Sequence, residues 1–311
     1  MADKKRVIAL GFFDGIHIGH AALLKKALEI SVATGLTPSV ITFDTHPLGI
    51  VGGKDVQLIN SPEDRAGLIH RVFGIDDIIL LHFDKVTSSM PWEVFIDHLA
   101  NDFNARHLIA GHDFRFGSGG SGNSSLLKRK CNETGIGCDV IPEVKYNRET
   151  VSSTNIRDLI SGGNIEKANK MLGHPHVLTD VVHYGYKLGR TLGTPTINMS
   201  FPDNVVIPAY GVYATKVHIH SDMELSGNTG GDPGHAFIRT GVTNIGVRPT
   251  VDNSGRITAE THILDFSGNL YGRKVRIEFH SFLRPEVKYD DITGLKAQIQ
   301  QDCESARRYF L

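Results

Sequence analysis

The sequence predicts an α/β domain followed by a β domain. Three observations lead there. Short β-rich runs alternate with helical patterns in the first half, strand-like runs separated by turn residues fill the second, and one helical pattern closes the chain. Strand–helix alternation reads as a parallel sheet with helices on both faces. Successive strands with Gly, Asn and Asp between them read as an antiparallel sheet or small barrel. A length of 311 residues agrees with two domains. The expected division is 1–175 and 176–311.

In the first half the strands are RVIAL (6–10), SVITF (39–43), DIILLHF (77–83), HLIAG (107–111) and CDVIPEV (138–144). The helical stretch IHIGHAALLKKALEISVATG ends on Gly35, a C-cap. SPEDRAGLIHRVFG opens with Ser61 as N-cap, Pro62 at the first helical position and Asp64 in the first turn. MPWEVFIDHLANDF and SSLLKRKCNETG complete the set. GSGGSGN (117–123) reads as a mobile loop inside this domain. NIRDLISGGNIEKANKMLG and the following HP form the hinge. Beyond it, VLTDVVHYGYKLG, GVYATKVHIH, HAFIRTGVTNIG, RITAETHILDF and YGRKVRIEFHSFL are strand-like, and DDITGLKAQIQQDCESARRYF is a closing helix.

Bulk properties exclude several classes. A formal net charge of -1 gives no global attraction to nucleic acid or to an anionic membrane, so neither is an expected partner. Cys131, Cys138 and Cys303 form no CxxC pair, which argues against a disulfide framework or zinc ribbon. The apolar run near the start is too short to span a membrane and lacks a cleavage pattern, so a cytoplasmic protein is expected. No interface can be read from the sequence, and the oligomeric state stays open.

GFFDGIHIGH (11–20) follows the first strand directly, where ligands of parallel sheets sit. A helix beginning near residue 16 or 17 would put His17 and His20 on one face of its first turn. Imidazole N–H groups added to a helix N-terminus make a pocket for phosphate oxygens. Gly15 and Gly19 allow close approach, and Asp14 is placed to cap the helix or to help hold Mg²⁺. The same turn with no ligand is the alternative. VSSTNIRDLI (151–160) sets Ser152, Ser153 and Thr154 before a helix with Arg157 in its first turn. Any hydroxyl there can serve simply as an N-cap. Together the two anion sites suit a nucleoside triphosphate held along its phosphates.

In the second half, KLGRTLGTPTINM (187–199) is a glycine-rich segment, preceded by Gly185. Such a loop folds close over phosphates, with the Thr196 hydroxyl and Asn198 amide oxygen as Mg²⁺ donors. A glycine-rich hairpin without ligand is again the alternative.

GFFDGIHIGH resembles the HxGH motif of the nucleotidyltransferases, and VSSTNIR resembles their (I/V)SSTxIR motif. With ITFDTHP (41–47) and AGHDFRFG (110–117) between them, the set is similar to the adenylyltransferase module of prokaryotic bifunctional riboflavin kinase/FAD synthetases. GRTLGTPTIN, TNIGVRPT (243–250) and ETHILDF (260–266) resemble their kinase module. The resemblance covers nearly the whole chain. It implies a Rossmann-like nucleotidyltransferase domain and a six-stranded riboflavin-kinase-like β-barrel with a closing helix. It implies two reactions: riboflavin and ATP to FMN, and FMN and ATP to FAD with pyrophosphate released. The implied catalytic residues are His17, His20, Arg157 and Glu260, the last as general base, although an ordinary strand residue fits that position too. The implied binding residues are Gly11, Phe13, Asp14, Gly15, Gly19, Asp113, Ser152, Ser153 and Thr154, then Gly185, Gly189, Arg190 and Gly193. Thr196 and Asn198 would hold the Mg²⁺ of the nucleotide. SDMELSGNTGGDPGHA (221–236) is longer than the family's usual connection and reads as a surface loop.

Overall fold

Arg6–Leu10 (β1) is buried along its whole length, as a central parallel strand with a layer on each face must be. A computed structural model of the protein describes residues 4–46, 56–185, 193–219, 237–247, 257–289 and 291–311. Gly189, Arg190, Pro47, residues 221–236 and the last three residues of TNIGVRPT lie outside them. The chain folds as two compact units, Met1–Asn155 and Ile156–Leu311.

In the first unit β1 is flanked by Thr37–Phe43 (β2) and Ala105–Gly111 (β4), with Asp77–Leu81 (β3) and Gly137–Ile141 (β5) outside them. The order is β3-β2-β1-β4-β5 and every pairing is parallel. Strand order reverses between β1 and β4, so the loops leaving their carboxyl ends part and open a crevice. Ile18–Thr34 (α1), Pro62–Phe73 (α2), Lys85–Ser89 (α3), Trp92–Asn101 (α4) and Ser124–Thr134 (α5) are its helices. Gly35 caps α1 with a left-handed φ of 72°, and the Ser61 side chain accepts from Asp64 N at the start of α2.

The structure departs from expectation at several ends. β3 stops at Leu81 because His82 and Phe83 turn to Asp44, at 2.7 and 3.2 Å. α3 gave no periodic signal because it buries no residue. β5 stops at Ile141, before a proline that has no N–H for a ladder. A two-residue hairpin follows, Lys145–Tyr146 (β6) with Glu149–Thr150 (β7). It turns on Asn147 and Arg148, both at positive φ, as a two-residue connection favours. GSGGSGN contains a 3-10 turn at Ser118–Gly120, tied by Ser118 N to Met90 O at 2.7 Å.

The hinge sequence forms Ser153–Ser161 (α6) and Ile165–Leu172 (α7). Six antiparallel strands follow: His176–Val181 (β8), Thr196–Ser200 (β9), Gly211–Ile219 (β10), Phe237–Val247 (β11), Ile257–Ile263 (β12) and Lys274–Arg284 (β13). Their order is β8-β13-β10-β11-β12-β9. The sheet curls until its edges meet, His183 N donating to Asn198 O at 2.9 Å. Inside, Thr215, Thr243 and Thr261 pass one hydroxyl chain across three strands, at 2.9 and 2.8 Å. That chain satisfies polar groups that burial would otherwise penalise. Asn169 of α7 holds one end, donating to Phe279 O and accepting from His176 N, each at 2.8 Å. Ile292–Tyr309 (α8) covers the outer face, burying Cys303 and Ala306 against Val212, Ala214 and Val242. Thr196 and Asn198, expected on a glycine-rich loop, stand on strand β9, because β-branched Thr and Ile suit an edge strand better than a turn.

Candidate active sites

The crevice after β1 and β4 holds a cavity of about 390 Å³. Gly11, His17, Gly19, His20, Asp113, Ser152 and Ser153 line it, as do Phe12, Glu143 and Thr150. Phe13 and Asp14 are buried beneath the wall. Gly15 supplies a φ of 80° in the same turn. Thr154 follows Ser153 on α6. Arg157 lies four residues past Ser153, a turn later than expected and in the second unit.

The loop is strained. Phe13 and Ile16 take φ of 56° and 45°, the latter an outlier conformation for a β-branched residue. α1 begins at Ile18, so His17 stands outside the helix as its N-cap, its Nδ1 accepting from His20 N at 3.2 Å. Asp14 is therefore not the cap. Its Oδ1 accepts from Ile59 N at 2.7 Å. The two imidazoles stack at 3.6 Å between centroids, tilted by 14°. A Cβ on Gly19 would come within 3.0 Å of the His17 ring, so the close approach needs glycine. Burial pushes the His20 pKa well below the usual histidine value, and the charges of His17 and Arg65 add to it. His20 is then a neutral imidazole at neutral pH, and its buried Nδ1 has no hydrogen-bond partner.

Ser152 caps α6, accepting from Asn155 N at 3.3 Å, and the Ser153 hydroxyl donates to Asp14 O at 2.9 Å. That second bond ties the start of α6 to the loop before α1. Two helix N-termini thus open on one cavity, a site for an extended polyanion. Two residues went unrecognised in the sequence. Thr42 Oγ1 and Arg65 Nη1 both donate to Phe12 O, at 2.8 and 2.5 Å. No local pattern marks Arg65, because its target lies 53 residues away.

In the second unit a cavity of about 420 Å³ is lined by Gly185, Thr196, Asn198, Phe266 and Tyr271 among others. Thr196 and Asn198 alternate onto one side of β9. Glu260 of β12 stands directly opposite Asn198 in the ladder, on the same side. It is half-buried and is not itself part of the cavity wall. Asn198 is 6% exposed, and its Oδ1 is buried with no hydrogen-bond partner. An unsatisfied amide oxygen two residues from a threonine hydroxyl is a hard-donor set that fits Mg²⁺. A Cβ on Gly185 would fall 2.4 Å from Asn198 Nδ2, so this approach too requires glycine. Gly193 turns with a φ of 80° just before β9.

Comparison with known proteins matches both halves of the chain. A family model described as FAD synthetase matches residues 1–155, and one described as riboflavin kinase matches residues 172–310. The bifunctional riboflavin kinase/FMN adenylyltransferase of Listeria monocytogenes is 32% identical, covering 99% of this chain and 93% of its own. Those of Bacillus subtilis and Escherichia coli K12 are 32% and 31% identical, covering 99% and 98% of this chain and 93% and 92% of theirs. A crystal structure described as a macrolide-efflux protein from Streptococcus pneumoniae is 29% identical with a TM-score of 0.84, covering 99% of this chain and 95% of its own. Among the described residues no helix is long and apolar enough to cross a membrane. The chain belongs to the bifunctional riboflavin kinase/FMN adenylyltransferase family.

Proposed function

We propose that the first-unit cavity transfers AMP from ATP to FMN and that the barrel cavity phosphorylates riboflavin, within modules spanning 1–175 and 176–311. The observation that carries this reading is the pair of helix N-termini and stacked imidazoles around one cavity of the first unit, together with an unsatisfied Asn198 oxygen in the cavity of the second.

In the first site a phosphate oxygen of FMN attacks the α-phosphorus of ATP, and the bond to the departing pyrophosphate breaks. Chemistry of this kind needs positioning and charge stabilisation more than covalent help. His17 accepts from His20 N through Nδ1, which leaves Nε2 as its N–H donor. His20 donates as a neutral imidazole. The Ser153 hydroxyl proton is committed to Asp14 O, so Ser153 serves the anion through its backbone N–H. Thr154 and Arg157 hold the leaving phosphates, and Gly11, Phe13, Gly15 and Asp113 shape the nucleotide and flavin side.

In the second site Glu260 takes the proton of the riboflavin 5′-hydroxyl as that oxygen attacks the γ-phosphorus of ATP, and the bond to the departing ADP breaks. Thr196 and Asn198 would hold Mg²⁺, which when bound neutralises phosphate charge. Gly185 and Gly193 place backbone close to the phosphates, and Gly189 and Arg190, outside the described residues, belong to the same binding segment. The enzyme works in the cytoplasm.

A chromatographic product assay tests the reading: protein, ATP and Mg²⁺, once with riboflavin and once with FMN. FMN followed by FAD from riboflavin is the expected result. FAD from FMN alone would withdraw the kinase assignment. No product from either would withdraw both.

A further inference from the structure

Arg65 is 1% exposed and is the largest fully buried side chain among the described residues. Its Nη1 donates to Phe12 O at 2.5 Å and to Thr42 Oγ1 at 3.1 Å. Its guanidinium lies 4.4 Å from the centre of the Phe12 ring. Nε and Nη2 are buried with no hydrogen-bond partner. A planar guanidinium with two unpartnered nitrogens is an unfavourable thing to bury, and a packed apolar side chain would be more stable there.

Asp14 and Asp44 are the acids whose charges act on it. Asp14 gives an oxygen to Ile59 N, and Asp44 gives both of its oxygens to His82 and Phe83. No carboxylate lies within 4 Å of Arg65 among the described residues, although Asp14 and Asp44 act on it through space. Burial lowers its pKa to about 10, so it stays a cation at neutral pH. Its field reaches the cavity, since its charge is one of those that depress His20. Phe12 separates it from the cavity and lines the wall.

We propose that Arg65 is a positioning residue for adenylyl transfer: it grips the Phe12 carbonyl, fixing the strained turn that presents His17 and His20, and sets a buried positive charge behind the phosphate pocket. The missing counter-ion is then the substrate polyphosphate. The inference rests on the first-site reading given under Proposed function. It assigns two separable duties. The charge favours ATP in ground state and transition state alike, which acts on KM. The Nη1 hydrogen bonds hold the turn that carries the imidazoles, which acts on kcat.

The experiment compares wild-type protein, Arg65→Met and Arg65→Lys in FMN adenylylation, riboflavin phosphorylation and thermal melting. In Arg65→Met, kcat/KM for ATP in FAD formation should fall by about 100-fold, the scale of a lost electrostatic donor. Its melting temperature should hold or rise, because a buried unpaired charge has gone. Arg65→Lys keeps the charge but reaches one bond less far than Nη1 and so loses the hold on Phe12 O and Thr42 Oγ1, so KM for ATP should return toward wild type while kcat stays low. Riboflavin phosphorylation should be unchanged in all three. Unchanged kcat/KM in Arg65→Met overturns the proposal. So does an equal loss in both variants with a lowered melting temperature and unaltered KM, which is what packing alone would give. If Arg65→Met does not fold, the KM-against-kcat split of Arg65→Lys decides by itself. If the wild type makes no FAD from FMN, the functional reading fails first and takes the inference with it.

Discussion

The two units build their sites from opposite materials. In the α/β unit the candidate groups sit on a loop and on helix ends, where free backbone N–H groups already favour anions. Backbone strain at Phe13 and Ile16 is part of that arrangement. In the barrel the groups sit on strands, and ladder register alone brings Asn198 opposite Glu260. A loop site is assembled by local sequence and held by donors from beneath, Thr42 and Arg65. A strand site is assembled by pairing and needs no strained residue. The first should therefore respond to changes in its supports, and the second to changes in side-chain volume against the strand.

The largest effect expected is from His20→Ala. It removes a donor from the phosphate pocket, so FAD formation from FMN should fall by about 1,000-fold while FMN formation stays near wild type. Rates on both substrates measure it, and loss of both activities in a folded variant would break the comparison. Glu260→Gln is its mirror image. FMN formation should fall by roughly 100- to 1,000-fold, the usual scale for a general base, with FAD formation from FMN preserved. Unchanged FMN formation would remove Glu260 from its role.

Gly185→Ala sharpens the contrast. The new methyl collides with Asn198 Nδ2, and a displacement of about 1 Å at a reacting centre costs up to roughly 100-fold. Riboflavin phosphorylation should slow by about that factor and recover only in part at raised Mg²⁺. Full recovery would mean that Asn198 matters for affinity alone.

The smallest effect concerns pH. His176 on β8 is wholly buried, and desolvation lowers its pKa to about 3, helped by the charge of His174. Both of its ring nitrogens lack partners. Its unfolded value lies near 6.5, so between these two pKa values the unfolded state binds the extra proton. The neutral ring's contribution is complete above pH 6.5 and is lost as pH falls toward 3. From pH 6.5 to 4.5 this amounts to about 2–3 kcal/mol of lost stability. His176→Leu should flatten that slope in denaturant titrations read by circular dichroism. Trp92, the sole tryptophan, reports the α/β unit and should show no change in its own transition. An unchanged slope would mean that carboxylates, not His176, set the acid limit.

Legibility followed the same division. The parallel strands and their helices could be read because each buries a periodic face and ends on a marked cap, such as Gly35 or Ser61. α3 could not, since it buries nothing. The histidine motif is contiguous and was recognised, although only the structure shows that His17 caps α1 and that Asp14 does not. The pairing of Asn198 with Glu260 joins distant segments, and spacing carries no trace of it. Arg65 was hidden for the same reason: its importance lies in a carbonyl on another element, not in its neighbours along α2.

The central claim is that two independent sites run two consecutive reactions in one chain. Mixing His20→Ala with Glu260→Gln tests it most directly, with riboflavin, ATP and Mg²⁺ supplied and FAD followed by chromatography. The account predicts that neither variant alone makes appreciable FAD and that the mixture does, because FMN released by the first feeds the second. Two folded variants whose mixture forms no FAD, although added FMN is adenylylated by the second, would contradict it.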